Sequence, residues 1–324
     1  MIFIPNGSQY KKHQQITKKD EVISTVRRTS KNGALLIDYL KAIRIHHWPK
    51  NMLVFLPVLT GHLVTFENFS ILLVLFFSLS FVASGMYLMN DLLDVENDKK
   101  HPTKKLRAIA SGSLSPKTAK VISLLLITIG LLGSFATSFY AGILIFLYIV
   151  LVGAYSLYIK RIPFFEAFFL TFVYLLRIYI GLLVIGFTNM SQSMMLFSFF
   201  FFFFLVLVKR HTEMLLYVKN LEDDPTGRGY KIGNINLIQS LAVASALVSL
   251  VVFGLYISGP KVQALYTSPT YLWAVALLCL LWCVNVLVCV HKGKMHNDPI
   301  IFTFTNKTSL VLFFTSIIFI VLSL

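Results

Sequence analysis

Between positions 90 and 98 the chain reads Asn90, Asp91, Leu92, Leu93, Asp94, Val95, Glu96, Asn97, Asp98, which puts four of only 14 acidic residues in one short stretch. On a helix Asp91, Asp94 and Asp98 take positions i, i+3 and i+7 of one face, and Asn90 stands one turn before Asp94. Carboxylates so spaced repel one another unless cations join them. Hard oxygen donors suit Mg2+, which keeps several waters and binds through one or two carboxylates together with a substrate's phosphates. The spacing points to Asp91, Asp94 and Asp98 as Mg2+ ligands, with Asn90 beside them, and to a diphosphate as the group they handle. The plainer account is a solvated, charged helix end.

Cations follow at once. Lys99, Lys100, His101, Pro102, Lys104, Lys105 and Arg107 form a basic loop ahead of Ala110, Ser111 and Gly112. Arg107 can grip a phosphate with two N–H groups and Lys104 with a point charge, although positive loops also set membrane topology. A second cluster is Lys209, Arg210 and Glu213, followed by Gly227, Arg228, Gly229 and Tyr230, a turn in which glycines let backbone approach an anion. Lys209 and Glu213 are also spaced i, i+4 for an ion pair. Tyr155, Lys160, Glu166 and Arg177 make a third group. Glu166 and Arg177 share a helix face without touching, and an ionisable residue at membrane depth marks either a site or a buried pair. Lys50 belongs to the run Arg44, His46, His47, Trp48, Lys50, Asn51, an aromatic and basic segment suited to a membrane interface, with Trp48 as an anchor.

These side chains must be positioned by membrane helices. With 56% hydrophobic and 13% charged residues and a mean hydropathy of +0.75, the 324-residue chain is not an ordinary soluble domain. A spanning helix needs about 20 apolar residues. Nine stretches approach that, near 49–66, 70–90, 118–138, 140–159, 164–188, 192–208, 235–258, 270–291 and 308–324. The net charge of +15 does not mark a nucleic-acid binder. Apart from Lys261 and Arg177, the Lys and Arg fall ahead of the first stretch or after the second, fourth, sixth and eighth, with Lys50 and Lys120 at the opening residues of the first and third. The positive-inside rule then puts the N-terminus and those loops in the cytoplasm of a multi-pass inner-membrane protein. Residues 1–35 are polar and basic without an apolar core, so they predict a loosely ordered arm rather than a signal peptide, and residues 36–324 one membrane domain. Cys279, Cys283 and Cys289 read as packing residues in the eighth stretch, and Phe199 to Phe204 as lipid-facing bulk. The fold class expected is all-α and membrane-embedded.

The assembled residues resemble the UbiA superfamily of membrane prenyltransferases, whose Asn-Asp-x-x-Asp-x-x-x-Asp motif stands here as Asn90, Asp91, Asp94 and Asp98. The resemblance covers about residues 36–324 and implies nine helices around a central cavity with a cytoplasmic polar cap. More narrowly, His101, Pro102, Lys104 and Arg107 resemble the decaprenyl-phosphate phosphoribosyltransferase branch. Supporting marks are Trp48, Lys50 and Asn51; Tyr155 with Lys160; Lys209, Arg210 and Glu213; the Gly-Arg-Gly-Tyr turn; and Asp298 with Pro299. The branch has Pro where Ile45 and Ala108 stand, Gln for His47 and Asp for Glu166. The Asp-x-x-x-Asp motif of the aromatic prenyltransferases is not intact, since Leu170 stands four residues beyond Glu166.

That branch implies transfer of a 5-phosphoribosyl group from phosphoribosyl diphosphate to a polyprenyl phosphate, releasing diphosphate with Mg2+ required, to supply pentose for cell-envelope glycoconjugates. Three phosphate-bearing groups call for several cationic contacts, and Lys50, Lys104, Arg107, Lys160, Lys209, Arg210 and Arg228 are available. Asn90, Asp91, Asp94 and Asp98 would form the catalytic centre. Tyr155, Glu166, Arg177, Glu213 and Tyr230 complete the expected substrate-binding set. An aromatic prenyltransferase using a polyprenyl diphosphate is the second reading. A non-catalytic lipid-phosphate transporter is the third, although transporters place charge near the midplane and show repeat symmetry. Association of identical copies is left open.

Overall fold

The computed structural model describes residues 39–100, 104–186, 190–219, 229–295 and 298–324. The expected arm at 1–35, His101, Pro102 and Arg228 lie outside them. Among the described residues every regular element is a helix, and there is no strand. The long helices are α1 (Phe66–Leu93), α2 (Pro116–Thr137), α3 (Phe139–Leu157), α4 (Phe165–Val184), α5 (Gln192–Lys219), α6 (Ile235–Ile257), α7 (Tyr271–His291) and α8 (Lys307–Ser323). This is an all-α, multi-pass membrane protein.

Eight of the nine apolar stretches are these helices. The stretch at 49–66 is not one. It forms a 3-10 helix, Ile45–Phe55, and then a five-residue helix, Leu56–Thr60. Pro49 and Pro57 interrupt the backbone donors, Gly61 closes the last turn by donating its N–H to Pro57 O at 2.9 Å, and His62 follows at a φ of 53°. Among the described residues seven helices, α1 to α7, are long and apolar enough to cross a membrane. An eighth span arises if Pro299–Thr305 and α8, bent by 88°, are counted as one. Asn306 makes that corner: its side chain caps α8 by accepting Ser309 N–H at 2.9 Å and receives the Asn285 amide at 3.3 Å.

The described residues divide into two compact units, one of Tyr87–Leu124 with residues 39–45, the other of His46–Met86 with Leu125–Leu324. The core of the larger unit is built on α5. Phe202, Phe203 and Phe204 are buried, against the expectation that this run faces lipid. Composition cannot separate burial in protein from burial in lipid. Here α5 is covered by α4, α6 and α7, and Tyr174 stacks on Phe202 while Trp282 packs against Phe201 and Phe204. Cys283 is buried in the same cluster, a packing residue as its spacing predicts.

Candidate active site

In the smaller unit the acidic face is held on a nearly continuous helix, because Asp94 N–H bonds Asn90 O at 2.9 Å and Asp98 N–H bonds Asp94 O at 2.8 Å across the end of α1. Val95–Lys100 carries the turn onward. Asp91 and Asp98 are buried, at 5% and 3% exposure. One guanidinium nitrogen of Arg107 donates to both, to Asp91 Oδ1 at 3.0 Å and Asp98 Oδ2 at 2.7 Å. Arg44 adds a second bond to Asp91 Oδ1 at 2.6 Å and lies over the Tyr87 ring. Arg107 arrives at the end of a 3-10 turn, Lys104–Leu106, through its N–H bond to Lys104 O, with Lys104 half-buried in that turn. Asp94 stands a turn away, its carboxylate accepting the Asn90 amide at 3.2 Å. Burial pushes the Asp98 carboxyl above its ordinary range, and Arg107 opposes that shift.

Among the described residues no group of three or more His, Cys, Asp or Glu converges to hold a metal unaided. Asp91 and Asp98 nonetheless share one cation already. A pair of buried carboxylates suits an ion that draws its remaining oxygen ligands from water and substrate phosphates. The chemistry of the donor set, two buried carboxylates with Asp94 one turn away, therefore fits Mg2+.

In the larger unit the expected substrate residues separate into two clusters. The first closes on Arg210. Its Nε bonds Glu166 Oε1; its other nitrogens bond Glu166 Oε2 at 2.8 Å, the Tyr155 hydroxyl at 3.0 Å and Glu213 Oε2 at 2.6 Å. Tyr155 completes the ring by donating to Glu166 Oε2 at 2.9 Å. Glu166 is wholly buried and Arg210 almost so. Glu166 enters at the first turn of α4, which starts from Phe164 at a φ of 62°. Tyr230 secures that unusual residue: its hydroxyl accepts Phe164 N–H at 2.9 Å and its ring meets Phe164 edge-on. A Cβ at Gly229 would strike the Arg161 carbonyl, so only glycine admits this approach. Tyr230 is buried at 2% exposure, and burial together with Glu166 raises its phenol. Gly229 and Tyr230 thus brace a turn, and Lys160 lies half-buried in the same turn, in the 3-10 helix Ile159–Arg161.

The second cluster draws residues from distant parts of the chain. Lys50 and Lys209 both point at Asp298 Oδ2, Lys50 in direct contact and Lys209 at 3.9 Å. Asp298 Oδ1 accepts Ile300 N–H at 3.1 Å, which fixes the carboxylate. Lys50 is held by its neighbours: Asn51 donates to Ser80 Oγ and Trp48 to Ser84 Oγ, both at 3.0 Å. Gly181 lets the Ile45–Phe55 segment lie against α4, since a Cβ there would collide with the Val54 carbonyl. Burial and the Lys50 charge push the neighbouring His47 imidazole down to about 2, so it is neutral. Burial would raise the Asp298 carboxyl, but the two ammoniums outweigh it and hold the group well below the carboxylate range.

Arg177 sits apart from both clusters. It donates to Asn51 Oδ1 at 3.0 Å, Val173 O at 2.7 Å and the Tyr148 hydroxyl at 3.0 Å, between the rings of Tyr148 and Tyr174. Its contacts with Asn51, Val173 and Tyr148 are those of a buried tie between α3, α4 and the Ile45–Phe55 segment. The expected i, i+4 pair of Lys209 with Glu213 gives way to Arg210 with Glu213, while Lys209 turns to Asp298. Sequence spacing marked neither Arg44, His47 nor Asp298 as a site residue. Arg44 reaches Asp91 across 47 positions and Asp298 reaches Lys50 across 248, and the signals available were the basic run at 44–51 and the Asp298-Pro299 pair.

Residues 54–317 match the UbiA prenyltransferase family. The chain belongs to that family. It is 32% identical over 275 residues to an uncharacterized protein, y4nM, of Sinorhizobium fredii, covering 84% of this chain but 53% of that one. It is 27% identical to nodulation protein NoeC of Azorhizobium caulinodans, over 84% and 89% of the two chains. It is 28% identical to the decaprenyl-phosphate phosphoribosyltransferase of Corynebacterium glutamicum, over 69% of each. The fold is that of a UbiA homolog from Archaeoglobus fulgidus solved with GPP and Mg2+, at a TM-score of 0.63 and 12% identity, over 87% of this chain and 99% of that one. UbiA membership makes the chain a membrane transferase of the prenyltransferase family.

Proposed function

We propose that this UbiA protein transfers a 5-phosphoribosyl group from phosphoribosyl diphosphate to a polyprenyl phosphate, releases diphosphate and so supplies pentose for envelope glycoconjugates. The observation that carries the reading is the pair of lysines, Lys50 and Lys209, set on one carboxylate. That arrangement leaves cationic charge for phosphate groups. The position of a second acidic motif goes the other way: Glu166 is closed on Arg210 and Leu170 stands where the next acid would be. An allylic diphosphate donor would want that second acid. The relatives named decaprenyl-phosphate phosphoribosyltransferase agree.

In this reading Asp91 and Asp98, with Asp94, would hold Mg2+, which would supply positive charge to a diphosphate leaving group. Asn90 orients Asp94. Arg107 and Arg44 keep the two buried carboxylates in place, and Lys104 faces phosphate as a point charge. The C1–oxygen bond breaks with its electron pair going to the diphosphate, and a phosphate oxygen of the lipid forms the new bond at C1. That oxygen is already anionic, so no residue need remove a proton, and positioning and electrostatics supply the rate. Arg228 joins the phosphate-binding set. The orientation proposed is N-terminus and active site on the cytoplasmic side of the inner membrane.

The test is a membrane-fraction assay with labelled phosphoribosyl diphosphate and a polyprenyl phosphate, with and without EDTA. Metal-dependent label in the lipid phase is the expected result. Label that enters only when a prenyl diphosphate and an aromatic acid replace this pair would give the protein the chemistry of an aromatic prenyltransferase.

A further inference from the structure

The cation that Asp91 and Asp98 share belongs to the chain itself. A single nitrogen, Arg107 Nη1, donates to Asp91 Oδ1 at 3.0 Å and to Asp98 Oδ2 at 2.7 Å. An ion joining the same two oxygens would have to enter where that nitrogen sits, and like charges repel strongly where water is scarce. Asp91 Oδ1 is crowded as well, because Arg44 Nη2 donates to it at 2.6 Å. A carboxylate oxygen offers two lone pairs, and here both are taken. An ion that uses Asp91 Oδ1 must therefore displace one of the two arginines.

The two are held differently. Arg44 has its side chain 16% exposed and lies over the Tyr87 ring at 4.9 Å, a second attraction that does not depend on Asp91. The Arg107 side chain is 28% exposed. Its main chain is tied on both sides, by its own N–H to Lys104 O at 2.9 Å and by Ser111 N–H to its carbonyl at 2.8 Å. The side chain can therefore swing toward solvent while the backbone stays.

We propose that Arg107 is a built-in counter-cation of the Asp91–Asp98 pair, holding the two carboxylates together until a divalent ion arrives and displaces it, while Arg44 stays. Arg107 is a positioning residue in this scheme: it acts through Asp91 and Asp98, keeps them from repelling one another in the metal-free protein, and sets the affinity for the ion by competing with it. Nothing covalent changes. The inference rests on the Mg2+ reading of Asp91 and Asp98 and is independent of which donor and acceptor the enzyme joins.

The test uses the full chain in detergent, without substrate or turnover. In the parent protein, phenylglyoxal labels arginine side chains, and peptide mass mapping follows Arg107 and Arg44 in EDTA and in saturating Mg2+. Mg2+ should speed labelling of Arg107 severalfold and leave Arg44 unchanged, whereas an ion that merely tightened the site would slow both. Binding of Mn2+, which takes the same oxygen ligands, is then read from the free ion by electron paramagnetic resonance. Arg107→Gln should bind Mn2+ about tenfold more tightly, the scale of a charged hydrogen bond that no longer has to break, and Arg107→Lys should return near the parent. Arg44→Gln removes an equal charge and should tighten binding less. Asp91→Asn should lose the ion. If Mn2+ binds through Asp91 but Mg2+ slows or fails to change Arg107 labelling, or if Arg107→Gln binds no tighter than the parent, the proposal is overturned and the metal site stands. Absence of saturable Mn2+ binding in the parent would overturn both.

Discussion

The Arg210 and Asp298 clusters differ in what they leave unspent. Arg210 meets Glu166, Tyr155 and Glu213 at hydrogen-bond distance, with Glu166 and Arg210 buried and the Glu213 side chain 26% exposed. Asp298 instead divides one carboxylate oxygen between a near lysine and a far one. A closed ring of buried charges fixes backbone, here the start of α4, whereas an uneven cluster keeps charge for something else. Residue type does not distinguish them, since both are lysine or arginine against acid. The accounting of partners does.

Breaking the closed ring should have the largest effect. Arg210→Met strands Glu166, which has no exposure, and removing one partner of such a pair costs about 3–5 kcal/mol. The expected outcome is loss of folded protein, read as yield and melting temperature in detergent. The double variant Arg210→Met with Glu166→Gln should recover much of the loss. If Arg210→Met folds normally yet fails to bind substrate, the ring belongs with the binding residues after all.

The acidic face comes next. Asp91→Ala and Asp98→Ala should each lower turnover by at least about a hundredfold, the scale of losing one electrostatic contact to a developing charge. Asp94→Ala should do the same, although its carboxylate stands a turn from the other two. Melting should fall less in Asp98→Ala, where Arg107 keeps Asp91, than in Asp91→Ala, where Arg44 also loses its ion pair. Turnover retained in Asp94→Ala would confine the metal to the Asp91–Asp98 pair.

What the sequence made legible follows from the range of each interaction. The i, i+3, i+7 acids are local, and a helix places them as read. Eight apolar stretches became helices for the same reason. The stretch at 49–66 passed on hydropathy, which counts Leu53 and Val54 but is blind to what Pro49 and Pro57 do to backbone donors. Lys50 and Asp298 are 248 residues apart, and only the tertiary fold brings them together. Tyr230 was noticed for its glycine-rich turn, yet its role in bracing Phe164 depends on a backbone conformation that no spacing rule announces.

Lys209→Gln sharpens the contrast more gently. It should raise the KM for one phosphate-bearing substrate by about tenfold while melting stays within about 0.5 kcal/mol of the parent, as for a replacement outside the core. A fall in kcat alone would place Lys209 at the reacting bond instead.

The smallest effect is one of pH, and it tests whether the Asp298 cluster holds its imidazole neutral. His47 faces Lys50, Asp298, His46 and Lys209, and its pKa falls from 6.5 in the unfolded chain to about 2. Between those values the unfolded chain binds the extra proton, so stability from this group is complete above pH 6.5 and drains as pH falls below it, by up to about 1.4 kcal/mol per unit. Asp298 is depressed in the other family of groups: its contribution is complete above 3.8 and is lost only under stronger acid, so it does not move between pH 7.5 and 5.5. Melting in detergent at those two pH values should therefore drop further in the parent than in His47→Gln. Equal drops would mean that the imidazole is protonated in the folded protein, adding a positive charge beside Lys50 and Lys209.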